Sequence, residues 1–286
     1  MQWVRFLRPA LSLLSLLALC GCPATDATVA ADATEAADPA GEPALVDLAL
    51  SDAICPASGA LCGTGCELAP DIVGWYYRVD KLTVQQPAGP EGAVAATLTS
   101  LWGAQVTSDD LVILMHILAR AGGKLKVEVA SAVLLKSGVD AGKYRELADP
   151  GPATLDLTYD GCDFTKGAGG TLKILPPFST NAVVLPGSQA AGHITPDGET
   201  LYGVELTGSL CATNANVIDF KLTPDSSGCV NMGQFMADVG MAPDLQGLPC
   251  GDGTSAGFAF SSAVEAQHVT NIADGLEPAT AYVCPP

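Results

Sequence analysis

The hydrophobic pattern after residue 54 is that of short β-strands separated by turns. Segments that alternate apolar with polar residues, or that are rich in β-branched and aromatic residues, recur at 76–84, 124–134, 154–159, 171–175, 183–185, 202–210, 217–222 and 257–264. Clusters of Gly, Pro and Asp separate them, at 87–92, 149–152, 160–161, 196–198 and 224–228. This pattern predicts a mainly β fold, an antiparallel β-sandwich or barrel-like domain, and not βαβ units.

Two segments could form a helix, and we expect one or two short helices in the whole chain. Residues 231–239 place their apolar side chains on one face and end at Gly240, which predicts a short amphipathic helix. Residues 111–118 are apolar on every side and therefore have no helical or strand period. They fit a helix with cap residues at its two ends, and they also fit a strand that forms a hairpin with 124–134 through a turn at Gly122 and Gly123. We favour a buried strand, in which His116 is a core histidine or faces a pocket and is not catalytic.

Composition is consistent with a single folded body. Hydrophobic residues make up 48% of the 286 residues and charged ones 15%, which is ample for a core. No internal repeat has a fixed period, and no Pro/Ser-rich linker divides the chain after residue 54. We therefore expect one domain over 55–286.

The first residues have the three parts of an export signal. Arg5 and Arg8 are followed by an uncharged apolar run over 10–19, which is too short to span a bilayer. The sequence then reads Leu-Cys-Gly-Cys over 19–22. This predicts a signal peptide over 1–21.

The Leu-Cys-Gly-Cys sequence resembles the lipobox of bacterial lipoproteins, in which a small residue precedes the modified cysteine and a branched aliphatic residue lies three positions before it. Gly21 and Leu19 fill those places before Cys22. The rival, Cys20, would put bulky Leu19 where the signal peptidase needs a small residue. The resemblance implies cleavage before Cys22 and acylation there, palmitate included, so that lipid holds the protein to a membrane.

The resemblance also bears on location. Pro23 follows the cysteine, whereas an Asp there resembles the inner-membrane retention signal of enteric bacteria, so we expect an extracytoplasmic protein of the outer membrane. Residues 22–54 are mostly Ala, Thr, Asp, Glu and Pro without a basic residue, which predicts a flexible acidic linker.

Charge excludes one class of partner. Loss of Arg5 and Arg8 with the signal peptide leaves 11 basic against 31 acidic residues, a net charge of −20. A field of this sign repels phosphate backbones, so we expect no nucleic acid partner.

Cysteine content indicates an oxidising compartment. Eight cysteines follow Cys22, and an even count in an exported chain predicts up to four disulfides. They are Cys55, Cys62, Cys66, Cys162, Cys211, Cys229, Cys250 and Cys284. From loop length we expect Cys250 to pair with Cys284 and Cys211 with Cys229. The first three cysteines would then form one local bridge and send one partner to Cys162. Their spacing does not fit zinc knuckles.

Motif searches give no catalytic residue and no metal ligand. Residues 253–257 match G-x-S-x-G, the nucleophile motif of α/β-hydrolases. The chain after this motif is too short for the rest of such a fold, and the only later histidine, His268, precedes Asp274, which is the wrong order for a hydrolase triad. We therefore interpret residues 253–257 as a glycine-rich loop beside Cys250. Residues 166–171 read as a turn, and 75–77, Trp-Tyr-Tyr, as the start of a core strand.

We expect no cofactor apart from a structural calcium ion that loop aspartates could bind. The candidate ligands are Asp160, Asp163, Asp197, Asp225 and Asp252. A glycan-cleaving site with two carboxylates also remains an open alternative, because the distance between its two carboxylates depends on the fold.

The sequence thus indicates where the protein is more clearly than what it does. The leading hypothesis is a membrane-anchored extracytoplasmic lipoprotein whose β domain binds or scaffolds a protein or glycan without catalysis. The alternatives are a secreted, carboxylate-based hydrolase and a purely structural protein of envelope assembly.

Overall fold

Burial alternates along the strands and so divides the sheet into an inner and an outer face. In the strand Ala153–Asp160, the side chains of Ala153, Leu155 and Leu157 are buried and those between them are exposed. Because successive side chains of a strand point to opposite faces, this alternation places one face on a core. The structure, a computed structural model, describes residues 66–68, 70–221, 226–250, 253–279 and 282–284.

The described residues form thirteen strands and four short α-helices. The strands are β1 (Tyr76–Gln86), β2 (Val112–Ala121), β3 (Lys124–Leu134), β4 (Tyr144–Glu146), β5 (Ala153–Asp160), β6 (Asp163–Ala168), β7 (Gly170–Ile174), β8 (Val183–Ile194), β9 (Thr200–Cys211), β10 (Asp219–Phe220), β11 (Val230–Asn231), β12 (Leu245–Cys250) and β13 (Gly253–Val269). The helices are α1 (Ala93–Leu98), α2 (Ala104–Thr107), α3 (Ala212–Ala215) and α4 (Met232–Asp238).

Eight of the strands close into an antiparallel barrel. Neighbours follow the order β1-β2-β3-β5-β6-β8-β9-β13, and β13 pairs with β1 from Tyr76↔Val269 to Gln86↔Ser261. β12 pairs with the start of β13, β4 with the end of β3, and β7 with the first half of β8. Of the two architectures that the sequence left open, the structure is therefore the barrel.

Apolar side chains fill the barrel interior. Every barrel strand sends buried residues into one core cluster, among them Tyr77, Ile113, Val127, Leu155, Phe164, Ala190, Val204 and Phe260. Eight-stranded barrels are just wide enough for side chains to fill them. The buried hydroxyl of Tyr77 donates to the backbone oxygen of Gly198 at 2.8 Å, so this polar group is satisfied within the core.

A helical segment between β1 and β2 packs on the same core and was not expected from the sequence. It consists of α1, a π-helical turn (Thr99–Gly103) and α2. Its buried side chains are Val94, Leu98, Trp102, Gln105 and Val106. The ring of Trp102 lies 6.4 Å from that of Phe260 on β13.

A smaller apolar cluster lies on the outer face of β2 and β3. Val112, Leu114 and Ala132 face outward there and are covered by Tyr144 of β4. The C-terminal segment runs beside β4, where the Glu277 amide donates to the Glu146 carbonyl and the Ala273 amide to the Tyr144 carbonyl. β4 is thus held between β3 and the C-terminal segment.

Three disulfides join described cysteines, and two differ from the expected pairing. Cys66 pairs with Cys162, as one partner of the first three cysteines was expected to do. The expected pairs Cys250 with Cys284 and Cys211 with Cys229 are wrong, because Cys211 pairs with Cys250 and Cys229 with Cys284. Cys211 ends β9 and Cys250 ends β12, and their Cα atoms are 6.1 Å apart.

Several other predictions can be compared with the structure. The strand predicted over 111–118 is confirmed as part of β2, which begins at Val112. The predicted amphipathic helix is α4, which is capped by the Asn231 side chain. The strand predicted over 217–222 is shorter than expected, since among the described residues 217–221 only Asp219–Phe220 form a strand, β10. Residues 166–171 lie at the end of β6 and the start of β7 and are not a turn. The described part of the chain contains no helix long and apolar enough to cross a membrane.

The G-x-S-x-G segment is strand and not loop. Residues 253–257 open β13, and the Ser255 hydroxyl donates to the Cys250 sulfur at 3.0 Å. A nucleophile elbow needs a sharp turn from strand to helix, which an extended strand does not provide. Ser255 therefore lacks the backbone setting of a hydrolase nucleophile.

Candidate functional site

Each of the three histidines stacks on an aromatic ring and lies near a carboxylate. The ring centroids are 3.9 Å apart for Trp75 and His268, 3.9 Å for Tyr76 and His116, and 5.1 Å for Tyr202 and His193. Tyr76 and Tyr77 open β1, as expected of the start of a core strand.

Two of these histidines are hydrogen-bonded to their carboxylates. Nδ1 of His193 lies 2.6 Å from Asp163, and Nδ1 of His268 lies 3.2 Å from Glu199. A charge-assisted or neutral hydrogen bond of this kind satisfies the ring nitrogen and fixes the imidazole. In both pairs Nδ1 is therefore satisfied without a ligand.

His116 is different, because its carboxylate neighbours leave its Nδ1 without a hydrogen bond. This nitrogen is buried and lies 3.8 Å from Oε1 of Glu128, which is beyond hydrogen-bonding distance. Glu146 is a second carboxylate in the cluster, and its Oε1 is also buried without a partner. One ligand atom from each of the three side chains lies within 4.8 Å of the others.

A β-bulge on β2 brings His116 and Glu128 together. Near the hairpin Ala121 faces Lys124 and Ala119 faces Lys126, but the register shifts by one residue at Leu118. His116 then faces Glu128, whereas without the shift it would face Val129, which points into the barrel. Bulges re-aim side chains in this way and are common next to functional sites.

Glu146 comes from β4, on the far side of β3. Its Cα partner is Ala132, and Ala130 lies between Ala132 and Glu128 on the outer face. Ala130 has a small side chain, and the ligand oxygen of Glu146 lies within 4.8 Å of the ligand atoms of His116 and Glu128. The cluster therefore combines three neighbouring strands on the outer face of the barrel.

The pKa shifts of the cluster report a desolvated, negatively charged environment. Burial, and then the nearby charge of Glu128, raise the pKa of Glu146. Burial lowers the pKa of His116, and the Glu128 charge partly opposes that shift. Burial and the charges of Glu146, Glu128 and Asp274 raise the pKa of Tyr76. No cation contributes to any of these three shifts among the described residues.

The sequence did not point to this cluster. His116 was expected to be a core or pocket-facing residue, and Glu128 and Glu146 were not singled out. Of the aspartates proposed for calcium, Asp163 instead contacts His193, and Asp197 accepts hydrogen bonds from the Thr195 hydroxyl and the Glu199 amide. Cys22, Cys55, Cys62, Asp225 and Asp252 lie outside the described residues.

Three surface pockets lie elsewhere on the barrel. The largest of them, about 510 Å³, is formed where the segment after β7 meets the C-terminal segment, and its lining includes Phe178, Tyr282, Asp110 and Glu277. A second of about 440 Å³ lies beside the Cys211–Cys250 disulfide, and a third of about 320 Å³ beside Asn181 and Asn214.

Comparison with known proteins adds nothing to this geometry. No family model, curated protein or solved structure matches the chain.

Glu146→Gln is expected to stabilise the metal-free protein at neutral pH by up to about 1 kcal/mol, because it removes a buried, unpartnered carboxylate. The raised folded-state pKa of Glu146 means that wild type loses stability as pH rises from the unfolded value of 4.5 through the folded one. The variant lacks this loss, so the two should agree near pH 4 and diverge toward pH 8.

Urea unfolding in the presence of a chelator measures this difference. The matched control is Glu205→Gln, since Glu205 is an exposed carboxylate 3.9 Å from Lys166 and should change little. A Glu146→Gln protein that is less stable than wild type by the same amount at every pH would contradict the expectation.

Proposed function

We propose that the protein is an extracytoplasmic lipoprotein, anchored to the outer membrane by lipid on Cys22, and that its barrel is a non-enzymatic binding or scaffolding module. The packed barrel interior carries the binding part of this proposal. Because apolar side chains occupy the space that ligand-binding barrels leave open, a protein or glycan partner would be recognised on the outer surface.

The disulfides support an exported protein. Disulfides persist in the periplasm and at cell surfaces but are rare in the cytosol, where thiols are kept reduced. Three bridges among the described cysteines fit the former compartment. The lipobox resemblance at 19–22 adds the anchor, and Pro23 favours the outer membrane.

Cys22→Ser is expected to abolish incorporation of a labelled fatty acid and to leave the signal peptide uncleaved. The measurement is metabolic labelling with a palmitate analogue, together with the mass of the purified chain and its position in a membrane density gradient. Cys20→Ser is the matched control and should be labelled and cleaved like wild type. Label that survives in Cys22→Ser but is lost in Cys20→Ser would move the acylation site and contradict the proposal.

One observation favours the hydrolase as a second candidate. Glu128 and Glu146 are close together and the pKa of Glu146 is raised, whereas retaining glycosidases use two carboxyl groups about 5 to 5.5 Å apart, one of which is an acid of raised pKa. His116 lies in the same cluster, and the three pockets described above are lined by other residues. Turnover of a glycan that disappears in Glu146→Gln would establish this candidate in place of the binding module.

A further inference from the structure

We propose that His116, Glu128 and Glu146 bind a divalent first-row metal ion, with Zn²⁺ as the best fit, on the outer face of the barrel. This site goes beyond the proposed function and does not rest on the lipid anchor. The three side chains come from β2, β3 and β4, so the fold and not a local sequence motif assembles them.

The separation of the ligand atoms is close to that of a metal site. Zn²⁺ binds imidazole nitrogen and carboxylate oxygen at about 2.0 to 2.2 Å, which places the ligand atoms of a tetrahedral site about 3.4 Å apart. Nδ1 of His116 and Oε1 of Glu128 are already 3.8 Å apart, and all three ligand atoms lie within 4.8 Å of one another. To reach that geometry the ligand atoms would need to approach one another by at most about 1.4 Å.

A cation would also resolve the charge imbalance of the cluster. Two carboxylates approach each other here, and Oε1 of Glu146 and Nδ1 of His116 are buried without a partner, which is costly unless a cation or a proton joins them. The arginines of β1, β2 and β4 are engaged elsewhere. Arg120 of β2 lies over the Tyr159 ring, 4.7 Å from its centroid. Arg145 binds Asp140 and Glu277, and Arg78 binds Asp109 and the Val106 carbonyl. A dication balances both carboxylate charges and uses a lone pair of the His116 imidazole.

The donor set selects the class of ion. Ca²⁺ takes six to eight oxygen ligands, and Mg²⁺ is usually held by one or two carboxylates with several waters, so neither makes use of an imidazole. Imidazole suits Zn²⁺ and other first-row metals. With three protein ligands, a tetrahedral Zn²⁺ retains a fourth position for water.

The ligands are held in place, yet the site is accessible. Tyr76 stacks on the His116 ring at 3.9 Å, and the backbone of Glu146 is bonded to Glu277 on the C-terminal segment. The His116 and Glu128 side chains keep 19% and 22% of their exposure. A Zn²⁺ ion bound here should therefore exchange with ions in solution and be removed by a chelator.

The experiment is a Zn²⁺ titration of the full chain, purified from cells that export it and stripped with a chelator. Isothermal calorimetry should show one Zn²⁺ site per chain, and Zn²⁺ should raise the unfolding temperature. Excess Mg²⁺ or Ca²⁺ should not displace it. Glu146→Gln and His116→Asn should each weaken Zn²⁺ binding roughly 100-fold or more, since loss of even an outer-shell partner costs about 10- to 100-fold.

The other two histidine pairs provide matched controls. His193→Asn and Glu199→Gln remove a histidine and a carboxylate from pairs that are already hydrogen-bonded, so both should bind Zn²⁺ like wild type. Should His116→Asn fail to fold, Glu146→Gln keeps the shape of the side chain, and X-ray absorption of the wild-type Zn²⁺ complex should show one imidazole among oxygen ligands. Absence of Zn²⁺ uptake by wild type, unchanged binding in Glu146→Gln, or equal losses in the control variants would overturn the proposal.

Discussion

Loss of the Cys66–Cys162 disulfide is expected to lower the free energy of unfolding by about 4 kcal/mol. The bridge spans 96 residues of sequence, and closing a loop of this length restricts the unfolded chain strongly. The bridge also lies in a tightly packed part of the structure. Cys162 is 1% exposed, and a Cβ atom added at neighbouring Gly161 would lie 2.8 Å from the Cys66 carbonyl oxygen. The test is the double variant Cys66→Ser/Cys162→Ala, so that no single thiol remains to form a wrong bridge.

The other two bridges give an internal scale for this prediction. They span 55 residues (Cys229–Cys284) and 39 residues (Cys211–Cys250), so the entropic model orders the losses by loop length and separates the longest from the shortest by under about 1 kcal/mol. Urea unfolding of the three double variants measures the order. If the 39-residue bridge were the costliest to lose, native-state contacts and not loop closure would dominate.

Leu155→Ala is expected to lower the free energy of unfolding by about 3 kcal/mol. The Leu155 side chain is 0% exposed and belongs to the core cluster inside the barrel. Truncation there removes buried apolar area and leaves a cavity that the closed barrel can fill only in part, and Leu→Ala changes at such positions cost about 2 to 5 kcal/mol.

The neighbouring residue on the same strand provides the control. Asp156 is exposed on the outer face of β5, so Asp156→Ala should stay within about 0.5 kcal/mol of wild type. Urea unfolding followed by circular dichroism measures both variants. A loss below about 1 kcal/mol for Leu155→Ala would mean that the barrel interior is loosely packed.

The strands were predictable where one face alone is buried. Apolar and polar residues alternate over 154–159 because one face of β5 lies in the barrel and the other in water. The sequence therefore indicates this strand directly. β2 was harder, because Val112 and Leu114 are covered on the outer face while Ile113 and Met115 fill the inner one. Both faces are buried, so no period remains.

The helical segment over 93–107 left a signal that strand patterns obscured. Val94, Leu98, Trp102 and Val106 recur every four residues, which is the spacing of one helix face. From the sequence we predict only the turn cluster at 87–92 in this region and assign no element to 93–107.

The candidate site depends on register, and sequence does not specify register at this level. The turn at 122–123 was recognised, but a hairpin continued from it without interruption places His116 opposite Val129 and on the wrong face. The unpaired residue Leu118 shifts the register by one residue and places His116 opposite Glu128. The residues around Leu118 do not indicate a bulge. Glu146 is further removed, because β4 pairs with β3 only after a loop that closes beside the C-terminal segment.

The position of the Cys66–Cys162 bridge has a mechanical consequence. If lipid on Cys22 holds the chain to a membrane, any pull on the barrel arrives through the residues that precede β1. The covalent bond at Cys66 meets that load before the hydrogen bonds of β1 do and passes it to Cys162, in the turn between β5 and β6. Force would therefore be shared across the barrel wall, and the strand nearest the anchor would be protected from peeling away.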